Sequence, residues 1–166
     1  MELKHFTRIL FPILILTFVC SAFAQDDLRT KLQSNYDKVS RLSIRKDKVR
    51  LEKVIRTNAA TNFEYIDAFK NSMDVGATVR QNTEQLERVA TFNSNSNKII
   101  GVKVNGHDIV CTVKTEYDIF LDSERTQRVK GVSISEDTWI KTLTGWKIKR
   151  SKVVKESAFQ NGKPLP

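Results

Sequence analysis

The stretch EDTWIKTLTGWKIKRSKVV, residues 136–154, indicates the fold of this chain most clearly. Trp139 and Trp146 flank a Thr-Gly turn, and apolar and polar residues alternate on both sides of it. Alternation with a period of two predicts two antiparallel strands joined as a hairpin. Strand parity predicts that Arg150 and Lys152 share the face of Trp146. A tryptophan beside a turn is typical of a core or pocket wall, so we interpret the hairpin as mainly architectural.

A second long hairpin is predicted upstream, in KIIGVKVNGHDIVCTVKTEYDIFLD, residues 98–122. Its Asn105-Gly106 pair indicates a type I′ turn, because both central positions of that turn need positive φ. A two-residue turn at this point would pair Val104 with His107. The same register pairs Val102 with Ile109 and Ile100 with Cys111, and the inward parity continues to Tyr117 and Ile119. The C-terminal half is therefore predicted to be an antiparallel meander.

Helical periodicity dominates the chain before the meander. Apolar residues three and four positions apart predict a helix over residues 26–44, with a stripe made of Leu28, Leu32, Tyr36, Val39 and Leu42. Asp47 is predicted to cap a second helix, whose apolar side carries Val49, Val54 and Ile55. TVRQ (78–81) resembles a capping box and predicts the start of a third helix, with Val79, Leu86 and Val89. NFEYIDAF (62–69) is predicted as a short strand and NSNSN (93–97) as a polar loop.

The first 24 residues have the layout of a secretory signal peptide. Lys4 and Arg8 precede an apolar run from residue 9 to residue 19, and Ala22-Phe23-Ala24 offers a small-x-small cleavage site. We therefore predict cleavage after Ala24 and a secreted or periplasmic protein. A retained membrane anchor is the alternative, although the run is only about half of the roughly 20 residues that span a bilayer. The last residues, 157–166, are predicted to be a disordered tail.

Composition restricts the chemistry that is available. The 166 residues carry a net charge of +9, and without residues 1–24 there remain 26 basic and 18 acidic residues, a net charge of +8. The remaining chain has one cysteine, Cys111, and one histidine, His107, so neither an internal disulfide nor a Cys/His zinc site is expected. No cofactor motif or nucleophile elbow is present. An exported protein seldom meets nucleic acid, so neither a nucleic-acid partner nor, after cleavage, a membrane partner is expected.

Taken together, these elements resemble the nuclear transport factor 2-like (NTF2-like) superfamily, particularly its exported bacterial SnoaL-like and DUF4440-like members. The resemblance is carried by the two opening helices with Asp47 between them, by NFEYID and by the ending DTWIKTLTGWKIKRSKVV. It implies an α+β fold over residues 25–156, in which a cone-shaped, curved antiparallel sheet packs on three N-terminal helices. It also implies a pocket between helices and sheet, and a homodimer formed through the outer face of the sheet.

The resemblance also implies candidate site residues. Asp67 aligns roughly with the general base of the ketosteroid isomerases of this superfamily, and Asp137 with their protonated aspartic acid. The isomerases also use a tyrosine on the first helix, but Tyr36 lies about one turn too early for that position. The residues expected to line the pocket are Tyr36, Tyr65, Tyr117, Trp139 and Trp146.

Two functions of different kinds follow from this fold. One is a module that binds a small apolar or amphipathic ligand or forms dimers. The alternative is a cofactor-independent isomerase, dehydratase or hydrolase that uses the two carboxylates. The superfold hosts both kinds of function, so the fold does not decide between them.

Overall fold

The computed structural model describes residues 7–165, and their side chains from Asp26 onward. The predicted signal peptide, residues 1–24, lies outside the residues whose side chains are described. The helices are α1 (Thr7–Ile44), α2 (Lys48–Asn58) and α3 (Val75–Arg88). The strands are β1 (Ala59–Ile66), β2 (Ser72–Met73), β3 (Thr91–Asn105), β4 (Asp108–Phe120), β5 (Arg128–Thr142), β6 (Gly145–Gln160) and β7 (Lys163–Pro164). Within the described range, no helix combines the length and the apolar character needed to cross a membrane.

The predicted apolar stripe of α1 is confirmed, because Leu32, Tyr36 and Leu42 are all buried. Asp47 caps α2 as predicted, since its carboxylate accepts a hydrogen bond from the Arg50 backbone N–H at 3.1 Å. The prediction for the apolar side of α2 is partly wrong. Val49 is 80% exposed, whereas Leu51 is buried beside the predicted Val54, and the two share one face of the helix.

The start of α3 differs from the prediction. The helix begins at Val75, and Asp74 caps it by accepting a hydrogen bond from the Ala77 N–H at 2.7 Å. Thr78, predicted to be the cap, is instead a buried residue of the first turn, and its hydroxyl donates to the Asp74 carbonyl oxygen. Thr78 therefore does not form the predicted capping box.

One curved, unclosed sheet follows the helices, in the order β2-β1-β6-β5-β4-β3, with β7 paired to β6. The predicted α+β fold is confirmed. The sheet is mixed rather than wholly antiparallel, because β1 runs parallel to β6 while all other neighbours are antiparallel. We call the face that α1 covers the concave face; it carries Asp137 and Trp139 of β5.

The turn between β3 and β4 lies one residue later than predicted, which shifts the pairing register by two residues. Asn105 pairs with Asp108, so the turn residues are Gly106 and His107, and Val104 pairs with Ile109 rather than with His107. Only Gly106 takes a positive φ, 62°, which suits a turn with glycine at its first position better than type I′. The predicted loop 93–97 is part of β3.

Extra residues in β3 and β6 reverse the strand parity. Ile99 pairs with Val113 and Gly101 with Thr112, which leaves Ile100 as a bulge that is 52% exposed. In β6 the extra residues are Lys149 and Val154. Because of the bulge at Lys149, Arg150 pairs with an outward residue of β5, so the prediction that Arg150 and Lys152 share the face of Trp146 is wrong.

The end of the chain is also more regular than predicted. Strand β6 continues to Gln160 and β7 folds back on it, with Phe159 opposite Pro164. Residues 157–164 therefore lie in strands and a turn, in contrast to the predicted disordered tail.

The apolar core has two parts. The first lies between α1 and the concave face and contains Leu32, Tyr36, Ile99, Ile109, Cys111, Val113 and Trp139, with Leu28, Val102, Trp146 and Ile148 packed against it. The second lies among the helices and contains Leu42, Leu51, Val54 and Leu86, with Val39, Ile55 and Phe92 packed against it.

Candidate functional site

Four polar side chains form a buried cluster where α1 crosses the sheet. The Trp139 Nε1–H donates to the Tyr36 hydroxyl at 2.9 Å, and the Tyr36 hydroxyl donates to Asp137 Oδ2 at 2.6 Å. The Ser151 hydroxyl donates to Asp137 Oδ1 at 2.6 Å. Trp139 is 0% exposed and its ring meets that of Tyr36 edge to face, with centroids 5.9 Å apart. These four residues are the buried tetrad.

The indole N–H of Trp139 fixes the direction of the first of these hydrogen bonds. An indole N–H can only donate, so the Tyr36 oxygen accepts from Trp139, and its own proton remains to donate to Asp137. Both oxygens of Asp137 consequently have partners inside the protein. The tetrad is therefore a satisfied network that joins α1 to β5 and β6, in keeping with the rule that buried polar groups are paired.

The electrostatics of the tetrad follow from its burial. Burial raises the pKa of Asp137 above its ordinary value, although hydrogen bonds from Ser151, Tyr36 and Ser135 act in the opposite direction. Burial also raises the pKa of Tyr36 well above 10, with the Asp137 charge adding to the effect. Burial and the same charge raise the pKa of Cys111 to about 12. No ion pair within the described residues includes Asp137, so hydrogen bonds alone offset the cost of burying its charge.

Asp67 has a different environment from the one predicted by the resemblance. Its Oδ1 accepts from the backbone N–H groups of Phe69 and Asn71 at 2.9 and 2.8 Å, and its Oδ2 accepts from the Asn71 side chain at 2.8 Å. The hydrogen bond from the Asn71 side chain, followed by those from the backbone, lowers the pKa of Asp67. Asp67 thus stabilises the turn between β1 and β2, and the structure does not join it to Asp137 through hydrogen bonds.

Two of the predicted pocket residues lie beyond the tetrad on the concave face. Tyr65 of β1 pairs with Ser151, whose side chain belongs to the tetrad, and Tyr117 of β4 pairs with Gly131. Burial, followed by the charge of Glu156, raises the pKa of both phenols, that of Tyr65 to about 12. Within residues 26–165, neither tyrosine hydroxyl has a hydrogen-bond partner. We call the region of the concave face that carries Tyr65, Tyr117 and the exposed Glu156 the open cluster.

The remaining predicted residue, Trp146, is half-buried against the first part of the core and takes part in neither cluster. Sequence reasoning missed Ser151, because the bulge at Lys149 changes which face its side chain takes. It also missed Glu156, although the second bulge, at Val154, restores the face that strict alternation from Trp146 assigns to residue 156. It also missed Gly131, where a methyl group would lie 2.2 Å from the Tyr117 ring.

The outer face of the sheet carries two clefts. One, of about 320 Å³, is lined by Arg150, which forms a two-point ion pair with Glu64 at 2.9 Å, and by Lys149, which lies 3.9 Å from Asp108. The other, of about 480 Å³, lies beside Arg128 and Phe159. None of the predicted site residues lines either cleft. In the part of the chain with described side chains, no group of three His, Cys, Asp or Glu residues is arranged to hold a metal ion.

Comparisons with known proteins define the fold. No family model and no curated protein matches the sequence. An NTF2-like superfamily protein from Salmonella enterica superposes with a TM-score of 0.60 at 10% identity, over 78% of this chain and 91% of that one. An NTF2-like protein with a cystatin-like fold from Novosphingobium aromaticivorans gives 0.53 at 15% identity, over 83% and 88% of the chains. An NTF2-like protein from Cytophaga hutchinsonii gives 0.56 at 8% identity, over 75% and 95%. These likenesses, together with three helices followed by a curved mixed sheet, show that the chain has the NTF2-like fold.

Proposed function

We propose that this protein is a ligand-binding module that takes a small amphipathic molecule on its concave face, at the open cluster. One observation carries the proposal. Every buried side-chain N and O atom of the described residues has a hydrogen-bond partner, whereas the hydroxyls of the half-buried residues Tyr65 and Tyr117, on the concave face, have none among the described residues. Polar groups held at the edge of an apolar wall without internal partners are those that orient a ligand.

Both candidate aspartates use their carboxylate oxygens in hydrogen bonds within the protein, and this favours ligand binding over catalysis. A general base must reach its substrate with a free lone pair, and the backbone N–H groups and amide around Asp67 occupy its oxygens. Asp137 is 4% exposed and accepts hydrogen bonds on both oxygens. The isomerase alternative is supported by the raised pKa of Asp137 alone. It requires Tyr36 to exchange its bond to Asp137 for one to a substrate.

Export and dimerisation are part of the proposal. Cleavage after Ala24 would leave α1 starting with Asp26 and Asp27 in its first turn, where negative charge is favourable to the helix dipole. The outer face of the sheet offers half-buried apolar side chains for contact between two copies, namely Val110, Val132, Ile134 and Ile140.

Native mass spectrometry of protein purified from its own host tests ligand binding directly. We expect a bound small molecule in the wild-type protein, and its loss in Ser133→Phe. Ser133 lies opposite both Thr115 and Glu156 on the concave face, so the larger side chain would fill the space next to the open cluster. Val132→Phe is the matched control, because the neighbouring position faces outward. A mass equal to that of the bare chain in the wild type, or equal ligand retention in both variants, would contradict the proposal.

A further inference from the structure

We infer that the outer face of the sheet binds an acidic polysaccharide, with one sugar carboxylate held by Lys149 and Arg150 in the cleft of about 320 Å³. This site lies on the opposite face of the sheet from the open cluster, so it is a second binding site and does not depend on the proposed function. Three features support it: a bulge that brings two cations into one cleft, the polar groups beside them, and the row of cations along β6.

The bulge at Lys149 brings Lys149 and Arg150 to the same face of the sheet. Consecutive residues of a regular strand point to opposite faces. Ile148 and Arg150, however, pair with consecutive residues of β5, so Lys149 between them is the extra residue of the bulge. Both Lys149 and Arg150 line the cleft on the outer face. An anion in this cleft can therefore contact two neighbouring cations of one strand.

Both cations have acidic neighbours that leave N–H donors available. The Lys149 ammonium lies 3.9 Å from the Asp108 carboxylate, which is beyond hydrogen-bond distance. The Arg150 Nε and Nη2 atoms each lie 2.9 Å from Glu64 Oε2. A guanidinium has five N–H donors, so this ion pair orients Arg150 and leaves other donors for a ligand.

The other polar groups of the cleft suit a sugar acid better than a phosphate chain. The cleft is also lined by Thr138, Asn62 and Asn105, whose side chains make no hydrogen bond to the rest of the described residues. Their oxygens, and the carboxylates of Glu64 and Asp108, accept hydrogen bonds. A sugar acid offers hydroxyl donors to these acceptors and a carboxylate to the cations. A phosphate chain offers acceptors only, and the two carboxylates repel it.

Positive charge continues along β6 on both sides of the cleft. Lys152 pairs with Glu136 and Lys155 with Ile134, both outward residues of β5, so the two bulges keep every cation of β6 on the outer face. These five cations are Lys147, Lys149, Arg150, Lys152 and Lys155. Lys147 also donates a hydrogen bond to the Thr57 carbonyl oxygen.

The row of cations fits a ligand with repeated negative charges. The neighbouring strands place three acids beside the five cations, namely Glu64, Asp108 and Glu136, which leaves an excess of two positive charges. At about 3.3 Å per residue, the row extends over roughly 25 Å. A single sugar acid would occupy the cleft alone, whereas a polysaccharide also reaches the lysines on either side of it.

The polysaccharide and the outer-face dimer would exclude each other. Val110 belongs both to the cleft and to the apolar side chains proposed for contact between two copies. We therefore expect the monomer to bind the polysaccharide.

Isothermal titration calorimetry with hexagalacturonate tests the inference, and its full methyl ester, which keeps the sugars and removes the charges, is the control ligand. We expect hexagalacturonate to bind about tenfold or more tightly than the ester. Lys149→Gln should weaken binding of the hexagalacturonate about fivefold or more. Lys130→Gln is the matched control and should have little effect, because Lys130 also lies on the outer face and 3.9 Å from an aspartate, but outside this cleft.

A second pair of variants tests sugar recognition without a change of charge. Thr138→Val removes a hydroxyl from the cleft and should weaken binding of the hexagalacturonate about two- to tenfold. Thr112→Val is its control, because Thr112 lies on the same face of the sheet outside the cleft.

Each contrary outcome overturns a stated part of the inference. Equal binding of the acid and its ester would overturn the role of the cations. Equal weakening by Lys149→Gln and Lys130→Gln would show only an effect of net charge, and would overturn the assignment to the cleft. Equal affinities of Thr138→Val and Thr112→Val would overturn sugar recognition, and the absence of binding would overturn the whole inference. None of these results bears on the ligand carried from the host, which tests the proposed function on the other face.

Discussion

Replacing Tyr36 with phenylalanine tests whether the buried tetrad stabilises the fold. The substitution keeps the ring that packs on Trp139 and removes one oxygen atom. That oxygen accepts from the Trp139 Nε1–H at 2.9 Å and donates to Asp137 at 2.6 Å. Two hydrogen bonds are lost, and the indole N–H of a fully buried residue is left without its partner.

The expected cost is about 3 kcal/mol of unfolding free energy. A buried donor left unsatisfied costs about 1–3 kcal/mol, and a hydrogen bond to a charged group contributes about 1.5–3 kcal/mol. The contribution of the hydrogen bond from Tyr36 to Asp137 depends on pH, because this bond lowers the pKa of Asp137 and so favours the charged carboxylate. The loss should be larger above the raised pKa of Asp137, where the wild-type carboxylate is charged, than below the ordinary aspartate pKa of 3.8, where it is neutral.

Urea denaturation followed by tryptophan fluorescence measures the effect. With a slope of about 1–3 kcal/mol per molar urea, a loss of 3 kcal/mol lowers the midpoint by about 1–3 M. Tyr65→Phe is the matched control, because the hydroxyl it removes has no hydrogen-bond partner among the described residues, and it should shift the midpoint little. Equal midpoints for the two variants would refute the conclusion that the tetrad is a stabilising network.

Four further predictions concern single features of the molecule. Asp137→Asn should gain stability relative to the wild type as pH rises from 3.8 through the raised pKa of Asp137, because the wild type alone must ionise a buried group over that range; urea denaturation across pH would show it. Gly131→Ala should destabilise the fold by about 1–3 kcal/mol through the contact with Tyr117, and should cost less in a Tyr117→Ala background, as a double-mutant cycle would reveal. N-terminal sequencing of the mature protein should begin at Gln25; an intact N-terminus in the membrane would contradict export. Light scattering at micromolar concentration should give twice the chain mass, and a monomer would exclude the outer-face dimer.

The parts of the fold that could be predicted from the sequence are those governed by local periodicity. The α1 stripe and the β5–β6 hairpin each repeat a pattern over many residues, and both are confirmed. Asp47 was identifiable as a cap because it immediately precedes an apolar-periodic stretch. The parallel pairing of β1 with β6 leaves no such local signal, since it joins Ala59 to Ile148, residues far apart in the chain.

The site was harder to predict because bulges reverse which face a side chain takes. Ile99-Ile100, Lys149-Arg150 and Val153-Val154 are doublets of like residues that interrupt the alternation, and each doublet contains the extra residue of a bulge. Strict alternation assigns the wrong face to every residue after such a position, until another bulge restores it. Ser151 was missed for that reason, although the doublet before it was a visible sign in the sequence.

Access to the open cluster is limited by the way α1 covers one edge of the sheet. Strand β3 is an edge strand, and an uncovered edge of 15 residues would invite pairing with another chain. The Gln33 side chain donates to the Asn97 carbonyl oxygen and accepts from the Ile99 N–H, both at 2.8 Å, as a neighbouring strand would. Arg29 adds a bond to the Ile99 carbonyl oxygen at 2.7 Å. Because α1 is fixed to this edge, we expect a ligand to reach Tyr65 from the opposite edge, past the short strand β2.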